Sequence, residues 1–490
     1  MPAIRSLMVD LNNLSRYPTL GIGYLVASLR TAGIEVEVLS PLLHGVPPYV
    51  REKPQNLKSH LRQRAIFATH PALAPARDRL RKAYITRGRT PNPRVLEECV
   101  AAIEQRRPDI LLLSAYLDHR PSVTALCEIA AAHDIPVVLG GPAFADPEVA
   151  REWLPIPGLT AVVGAEADFS LPSIVEAVLA GDDLAELPGL FLPDGRQGPP
   201  APPLGDLSRL PVPDFSDFPW HLYTTRVVPV MTGRGCSWGR CLFCSDIETT
   251  NGRTFRSRPV DDVMAEIGDQ ARRHAAKQVA FLDIKLNGDL RTWHGIADRF
   301  QDHVPGGTWV GTVHVQASGD NGLSRDELER AYASGMRRIS CGLETGSPRV
   351  NNSMAKGTNI ERTSTFIRDA HGVGLSVRTT MMLGYPGETH EDVALTYQFL
   401  RDHEGFLDRI TMSPFKAIPG TGFARRFNAD PRRYPDLLKM RWNHSEATAS
   451  FEHRPPSARA YRRERAKVLN LVHRINRRPL PDQALEFDGV

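Results

Sequence analysis

Residues 338–350 read R-I-S-C-G-L-E-T-G-S-P-R-V, an apolar run that breaks into small and polar residues at Glu344, Thr345, Gly346 and Ser347. A buried strand followed by a loop produces this pattern. Residues 279–285, V-A-F-L-D-I-K, repeat it. So do residues 374–389, G-L-S-V-R-T-T-M-M-L-G-Y-P-G-E-T, whose β-rich run stops at Gly384, Pro386 and Gly387 before the helix-forming E-D-V-A-L-T-Y-Q-F-L. Each unit leads into helix-like sequence. Repeated strand, loop and helix predict an α/β barrel, whose chemistry sits on the loops after the strands.

Upstream, the run T-G-R-G-C-S-W-G-R-C-L-F-C-S-D at 232–246 places three thiols at Cys236, Cys241 and Cys244. Three soft ligands on a short loop suit an iron-sulfur cluster or zinc. The intervals of four and two residues lack the paired knuckles of a four-cysteine zinc site, and a zinc reading needs His221 or His314 as fourth ligand. The chain has six cysteines. Cys99, Cys127 and Cys341 sit singly in apolar or mixed surroundings and read as small core residues.

The loop resembles that of the radical S-adenosylmethionine (SAM) enzymes, with one residue more than their usual C-x-x-x-C-x-x-C. Gly233, Gly235 and Gly239 supply flexibility to absorb it, and Phe243 matches the aromatic common before the last cysteine. The resemblance implies a 4Fe-4S cluster held by the three cysteines, with one iron left open to SAM. It also implies SAM contacts from Glu344, Thr345, Gly346 and Ser347, and from the phrase containing Pro386. Arg378 projects from the third strand toward a cofactor carboxylate or a salt bridge at the barrel end. The basic phrase G-R-T-F-R-S-R-P-V-D-D-V carries Arg253, Arg256 and Arg258. The acids that follow it, and the lack of aromatic platforms, favour local ion pairs over nucleic acid.

The front of the chain alternates strands and helices. I-R-S-L-M-V-D, I-E-V-E-V-L, D-I-L-L-L-S-A-Y-L and I-P-V-V-L-G-G-P-A-F read as strands, and I-G-Y-L-V-A-S-L-R-T-A-G as a helix stopped at Gly33. Such alternation predicts a parallel sheet with ligands at its strand ends. Neither G-x-G-x-x-G nor G-x-x-x-x-G-K occurs here. Instead this half resembles the cobalamin-binding domain that precedes the radical barrel in one branch of the family. The resemblance rests on P-T-L-G-I-G-Y-L (Thr19, Leu20, Gly21), L-S-A-Y (Ser114, Tyr116), V-L-G-G-P (Gly140, Gly141, Pro142) and V-V-G-A-E-A-D (Gly164, Glu166). Asn12 and Ser15 are candidate contacts to corrinoid amides or phosphate. No D-x-H-x-x-G supplies a histidine to cobalt.

The expected fold is α/β: a Rossmann-like cobalamin-binding domain at 1–187 with a basic helical insertion near 47–93, then a Pro/Gly-rich spacer at 188–222. A partial (β/α)6 barrel of the TIM type follows at 223–405, and a small mixed cap at 406–490. That cap offers Phe415, Lys416, Trp442, Asn443 and His444 as a substrate lid. The insertion reads as a flap over the corrinoid domain or a surface for an acidic leader peptide or carrier.

The 490 residues carry 60 basic and 56 acidic side chains, a formal charge of +4 that implies no obligate nucleic-acid partner. No apolar run reaches the roughly 20 residues of a membrane span, and no secretory signal opens the chain. A cytoplasmic location follows as the expectation. If both resemblances hold, the implied activity is methylation of an unactivated carbon. A 5′-deoxyadenosyl radical removes hydrogen, methylcobalamin donates the methyl group, and a flavodoxin or ferredoxin supplies electrons. The implied substrate is a small natural-product intermediate or a peptide. A rearrangement or ring contraction without methyl transfer, and a corrinoid-binding regulator with structural zinc, are the alternatives.

Overall fold

The computed structural model describes residues 3–50, 54–69, 79 and 90–490. Its front half is a six-stranded sheet of β1 (Arg5–Val9), β2 (Glu35–Leu39), β3 (Ile110–Ser114), β4 (Val137–Gly140), β5 (Leu159–Val163) and β6 (Leu190–Phe191). The order is β2-β1-β3-β4-β5-β6, parallel except for β6. Alternate residues enter different cores, as the period of two requires. Leu7, Leu111 and Leu113 pack beneath helices Pro93–Arg106 and Arg120–Ala131, whereas Met8, Ile110 and Leu112 pack beneath Leu20–Thr31 and Leu171–Ala180. Helices on both faces explain why these strands are apolar throughout. From β1 the chain goes to one side for β2 and returns on the other for β3. That reversal opens a crevice at the strands' C-terminal ends.

The second sheet begins with β7 (Val227–Val230). A hairpin of β8 (Gly233–Arg234) and β9 (Arg256–Ser257) then brackets the cysteine loop. The sheet continues with β10 (Gln278–Phe281), β11 (Thr308–Val313), β12 (Met336–Glu344), β13 (Ser376–Leu383) and β14 (Arg409–Pro414), all parallel and in sequential order from β7. Helices Val260–Arg273, Leu290–His303, Arg325–Ala333, Ile360–Gly372, His390–Asp402 and Arg459–Asn476 complete six β/α units. The barrel therefore runs past the expected boundary at 405, since its sixth strand and helix come from the segment read as a cap. What is inserted between them is the helix Gly422–Ala429 and the hairpin of β15 (Leu437–Asn443) and β16 (Thr448–His453).

The sheet does not close between β14 and β7. The Val227 N–H at the β7 edge donates to the Arg16 carbonyl of the front domain at 3.3 Å. Below, Tyr17 joins Val227, Ala280, Val310 and Phe487 in one apolar cluster, and Arg338 donates to the Phe487 carbonyl at 2.7 Å. The two halves are thus packed together along the barrel's open seam.

The stretch read as a spacer is fixed in place. Leu207, Leu210, Phe215 and Phe218 are buried in the front core, and Asp214 and Asp217 pair with Arg30 at 2.6 and 2.8 Å. Its apolar residues give it a surface to bind, which proline and glycine content alone does not reveal. In the insertion, helix Leu57–Ile66 lies against the last barrel helix rather than over the front sheet, with His60 and His473 stacked at 4.2 Å. Residues 70–89 of the insertion fall outside the described residues apart from Arg79. Among the described residues no helix is long and apolar enough to cross a membrane.

Candidate functional site

One cavity of ≈ 1490 Å³ joins the crevice of the front sheet to the interior of the barrel. Its front wall is built from the loops after β1, β3, β4 and β5. After β1, buried Asp10 accepts from Thr19 Oγ1 at 2.8 Å and from the Asn12 N–H at 3.2 Å, which folds the loop back onto the strand end. Burial pushes the Asp10 carboxyl up. Asn12, Thr19, Leu20 and Gly21 then face the cavity. Ser114 and a half-exposed Tyr116 follow β3, while Gly140, Gly141 and Pro142 follow β4. Gly141 has φ +152°, and a Cβ there would lie 2.1 Å from the Ala115 carbonyl oxygen. Only glycine lets these two loops touch. Ser15 and Gly164 stand behind the wall: the Ser15 N–H pairs with the Tyr49 carbonyl, and Gly164 is pressed against the Phe144 carbonyl.

Glu166 reaches the cavity but is already engaged. It takes two bonds from Arg256, at 2.8 and 3.2 Å, and lies 3.3 Å from Arg234, which in turn holds Asp168 through contacts of 2.8 and 2.7 Å. Both arginines belong to the hairpin at the base of the cysteine loop, so two carboxylates of the front domain fix that loop's footing. Arg258 pairs with Glu266 of the next helix at 2.6 Å, and Arg253 with Glu248. The basic phrase is therefore ion-paired at all three arginines.

Cys236, Cys241 and Cys244 all line the cavity. Burial pushes the Cys241 thiol up to about 11 and that of Cys244 up to about 12. Among the described residues no three His, Cys, Asp or Glu side chains converge on a point that one ion could occupy. His221 is exposed on the linker. Three thiols on one cavity are the soft ligands that an iron-sulfur centre or zinc takes. Cys99, Cys127 and Cys341 are buried elsewhere and line no part of the cavity.

Opposite the cysteines, Glu344 ends β12 with φ +63° and is buried. Its Oε1 accepts from Lys356 Nζ at 3.0 Å and from Thr380 Oγ1 at 3.3 Å. Gly342 leaves room for the pair, since a Cβ there would lie 2.5 Å from both charged atoms. Lys356 was not legible as a partner, and its ammonium also sits 5.7 Å from the ring of Phe243. Thr345, Gly346 and Ser347 leave the cavity altogether. They dock on helix His390–Asp402, where Thr396 Oγ1 meets Thr345 Oγ1 at 3.2 Å and the Gly346 N–H at 3.0 Å, and Asp392 accepts from Ser347 at 2.6 Å. Pro386 is also off the cavity, in a turn closed by the Gly384 N–H donating to Glu388 at 2.6 Å. Arg378 lies near the floor, in register with Ser340 and Arg409, because it is only the third residue of its strand.

Three further polar residues face the cavity from strand ends. Asp283 accepts from the Thr232 N–H, the Thr232 hydroxyl and the Gly233 N–H at 2.8–3.1 Å, and burial pushes its carboxyl up to about 6. Lys285 is 4 % exposed, and burial lowers its pKa. His314 is held neutral, pushed down to about 3 by burial and by the nearby Lys356 and Lys285, and its Nε2 is buried without a hydrogen-bond partner among the described residues. Of the candidate lid, neither Phe415, Lys416, Trp442, Asn443 nor His444 lines the cavity. Phe415 is packed against Tyr385 and Phe423, and the β15–β16 turn reaches the front domain through Trp153 Nε1 and the Ser445 carbonyl at 3.2 Å.

Residues 230–400 match the model of the Radical SAM superfamily. An uncharacterized methyltransferase of Pyrococcus horikoshii is 26% identical over 328 residues, covering 65% of this chain and 69% of the relative. A bacteriochlorophyllide d C-12(1)-methyltransferase of Chlorobaculum tepidum is 25% identical over 225 residues, and the chain spans about half of that protein, 47%. Among solved structures, the cobalamin-dependent SAM radical enzyme OxsB, with aqua-cobalamin and SAM bound, superposes with a TM-score of 0.71 at 14% identity over 95% of this chain and 66% of its own. The radical SAM methyltransferase TsrM from Kitasatospora setae, with cobalamin and a 4Fe-4S cluster bound, gives 0.65 at 17% identity over 96% of this chain and 89% of its own. At these identities the structural likeness is one of fold. It extends over both halves of the molecule: the stretch that matches the radical SAM model lies behind a parallel-sheet domain, and the chain has the fold of these two enzymes.

Proposed function

We propose that this protein is a cobalamin-dependent radical SAM methyltransferase that methylates an unactivated carbon of a natural-product intermediate or a peptide. The supporting observation is the single cavity, which puts three thiols and the glycine-lined crevice of the front sheet on one continuous space. Cys236, Cys241 and Cys244 would hold the cluster. Asn12, Thr19, Gly21, Ser114, Tyr116 and the Gly140–Pro142 turn would border the corrinoid. When bound, these groups supply the electron that cleaves SAM and the methyl group that the substrate carbon receives.

The chain's own residues position and insulate. Lys356 and Thr380 fix Glu344 Oε1, and Glu344 Oε2 takes no hydrogen bond among the described residues, so it stays available to a donor on SAM. The bare turn at Gly141 lets backbone approach a broad ring. His119 lines the crevice, but its Nδ1 accepts from the Tyr116 N–H at 3.3 Å. That bond favours the tautomer with the ring proton on Nε2.

Anaerobic reconstitution with iron, sulfide and hydroxocobalamin tests the reading, followed by a chemical reductant and SAM labelled on its methyl group. Four irons and one corrinoid per chain, 5′-deoxyadenosine, and label on cobalamin are the expected result. Cluster, corrinoid and SAM cleavage without label on cobalamin would replace methylation by rearrangement. Zinc in place of iron would overturn the radical chemistry.

A further inference from the structure

The first interval of the cysteine loop, Ser237-Trp238-Gly239-Arg240, is long, and Gly239 sits at φ +57°. Left to itself, such a loop spreads Cys236 over many positions relative to Cys241. The segment Met354–Gly357, which follows the helix Pro348–Ser353, meets this loop with three consecutive carbonyls. Met354 O accepts from the Leu242 N–H at 2.9 Å, Ala355 O from Trp238 Nε1 at 2.9 Å, and Lys356 O from Cys241 Sγ at 3.9 Å. Gly357 completes the seat. Its φ is +69°, and a Cβ there would lie 2.1 Å from the Trp238 ring, so glycine is required both by conformation and by space. The indole is flanked by His314, stacked at 6.1 Å, and by the Arg240 guanidinium at 5.3 Å.

We propose that Trp238 is a positioning residue, a wedge seated on Met354–Gly357 that fixes the long interval and so sets Cys236 and Cys241 for the cluster. The proposal rests on the cluster reading of the three cysteines. The wedge acts through the geometry of the loop, as an outer partner orients a metal ligand.

The test reconstitutes wild type, Trp238→Phe, Trp238→Ala and Gly357→Val with ferrous iron and sulfide. It reads iron per chain after a chelator challenge, the electron paramagnetic resonance of the reduced protein, and the melting of the iron-free forms. Trp238→Ala and Gly357→Val should retain iron about 10-fold less well, at the low end of what outer-shell partners of metal ligands contribute, and with an altered resonance. Trp238→Phe keeps an aromatic ring on the seat and loses the indole donor. It should restore the wild-type line shape, and the iron-free forms of wild type, Trp238→Phe and Trp238→Ala should melt alike, whereas Gly357→Val, strained by conformation and by space, melts lower. Full iron and an unchanged resonance in Trp238→Ala overturn the wedge, as does iron loss in Trp238→Ala that merely follows a lowered melting temperature. A wild type that takes up no iron refutes the cluster reading instead, and the seat is then judged on the iron-free protein. There Gly357→Val must raise the acrylamide quenching of the emission lost in Trp238→Phe, and no change overturns the wedge.

Discussion

Replacing Asp168 by Asn tests the joint between the two halves. Arg234 is 8% exposed at its side chain, as is Asp168, and the two share contacts of 2.8 and 2.7 Å. With Glu166 and Arg256 they form a buried lattice of two anions and two cations. Asn keeps the shape and one acceptor but leaves two guanidinia facing the single carboxylate of Glu166. Breaking a buried pair by removing one partner costs about 3–5 kcal/mol, and the remaining carboxylate puts this case near the lower end, about 3. Over an unfolding slope of about 3 kcal/mol per molar urea, the midpoint should fall by about 1 M. The exposed pair of Arg196 and Asp194, at 2.7 Å, is the control, since solvent and salt screen a surface pair. A double variant with Arg234→Met should lose less than the sum of the singles by at least about 0.5 kcal/mol, the least that directly paired residues show. A midpoint shift for Asp168→Asn no larger than that for Asp194→Asn, or strictly additive losses, would refute the coupling.

Burial pushes the Glu388 carboxyl up to about 7, against an ordinary 4.5. Between these values the folded protein keeps a proton that the unfolded chain has released, so stability falls as pH rises, by up to about 1.4 kcal/mol per unit. Urea midpoints at pH 5.5 and 7.0 should therefore show wild type losing about 2 kcal/mol relative to Glu388→Gln; parallel pH dependences would contradict the assignment. Gly141→Ala forces a Cβ to within 2.1 Å of the Ala115 carbonyl oxygen and should lower stability by about 1–3 kcal/mol and abolish corrinoid uptake. Gly21→Ala, where a Cβ meets nothing within 4 Å, should leave the melting temperature at or above that of wild type. Equal melting and equal cobalamin absorbance in all three would sink the steric account of the front wall.

Strands β10, β12 and β13 were legible because each is an apolar run that ends abruptly in polar or small residues. The sequence of β14, R-I-T-M-S-P, alternates instead, with Thr411 and Ser413 exposed. That polarity hid the sixth strand and moved the apparent domain boundary to 405. In the site, the three cysteines and the Gly140–Pro142 turn could be read locally, since spacing and glycine carry their own signal. Lys356, Asp168 and Arg234 could not, because each is defined by a partner remote in sequence. Thr345 and Ser347 show the converse: a phrase can mark a region while its individual side chains serve packing, here against Thr396 and Asp392.

The open seam of the barrel bears on how the molecule can be divided. An unpaired strand edge is a template for pairing with other chains, and in the intact protein the β7 edge has the Arg16 carbonyl on it and Tyr17 beneath it. A fragment beginning near residue 223 would lack both and bare that edge together with the apolar cluster around Val227 and Phe487. Such a fragment would self-associate, so its insolubility would report a missing neighbour and not a fault in the barrel itself.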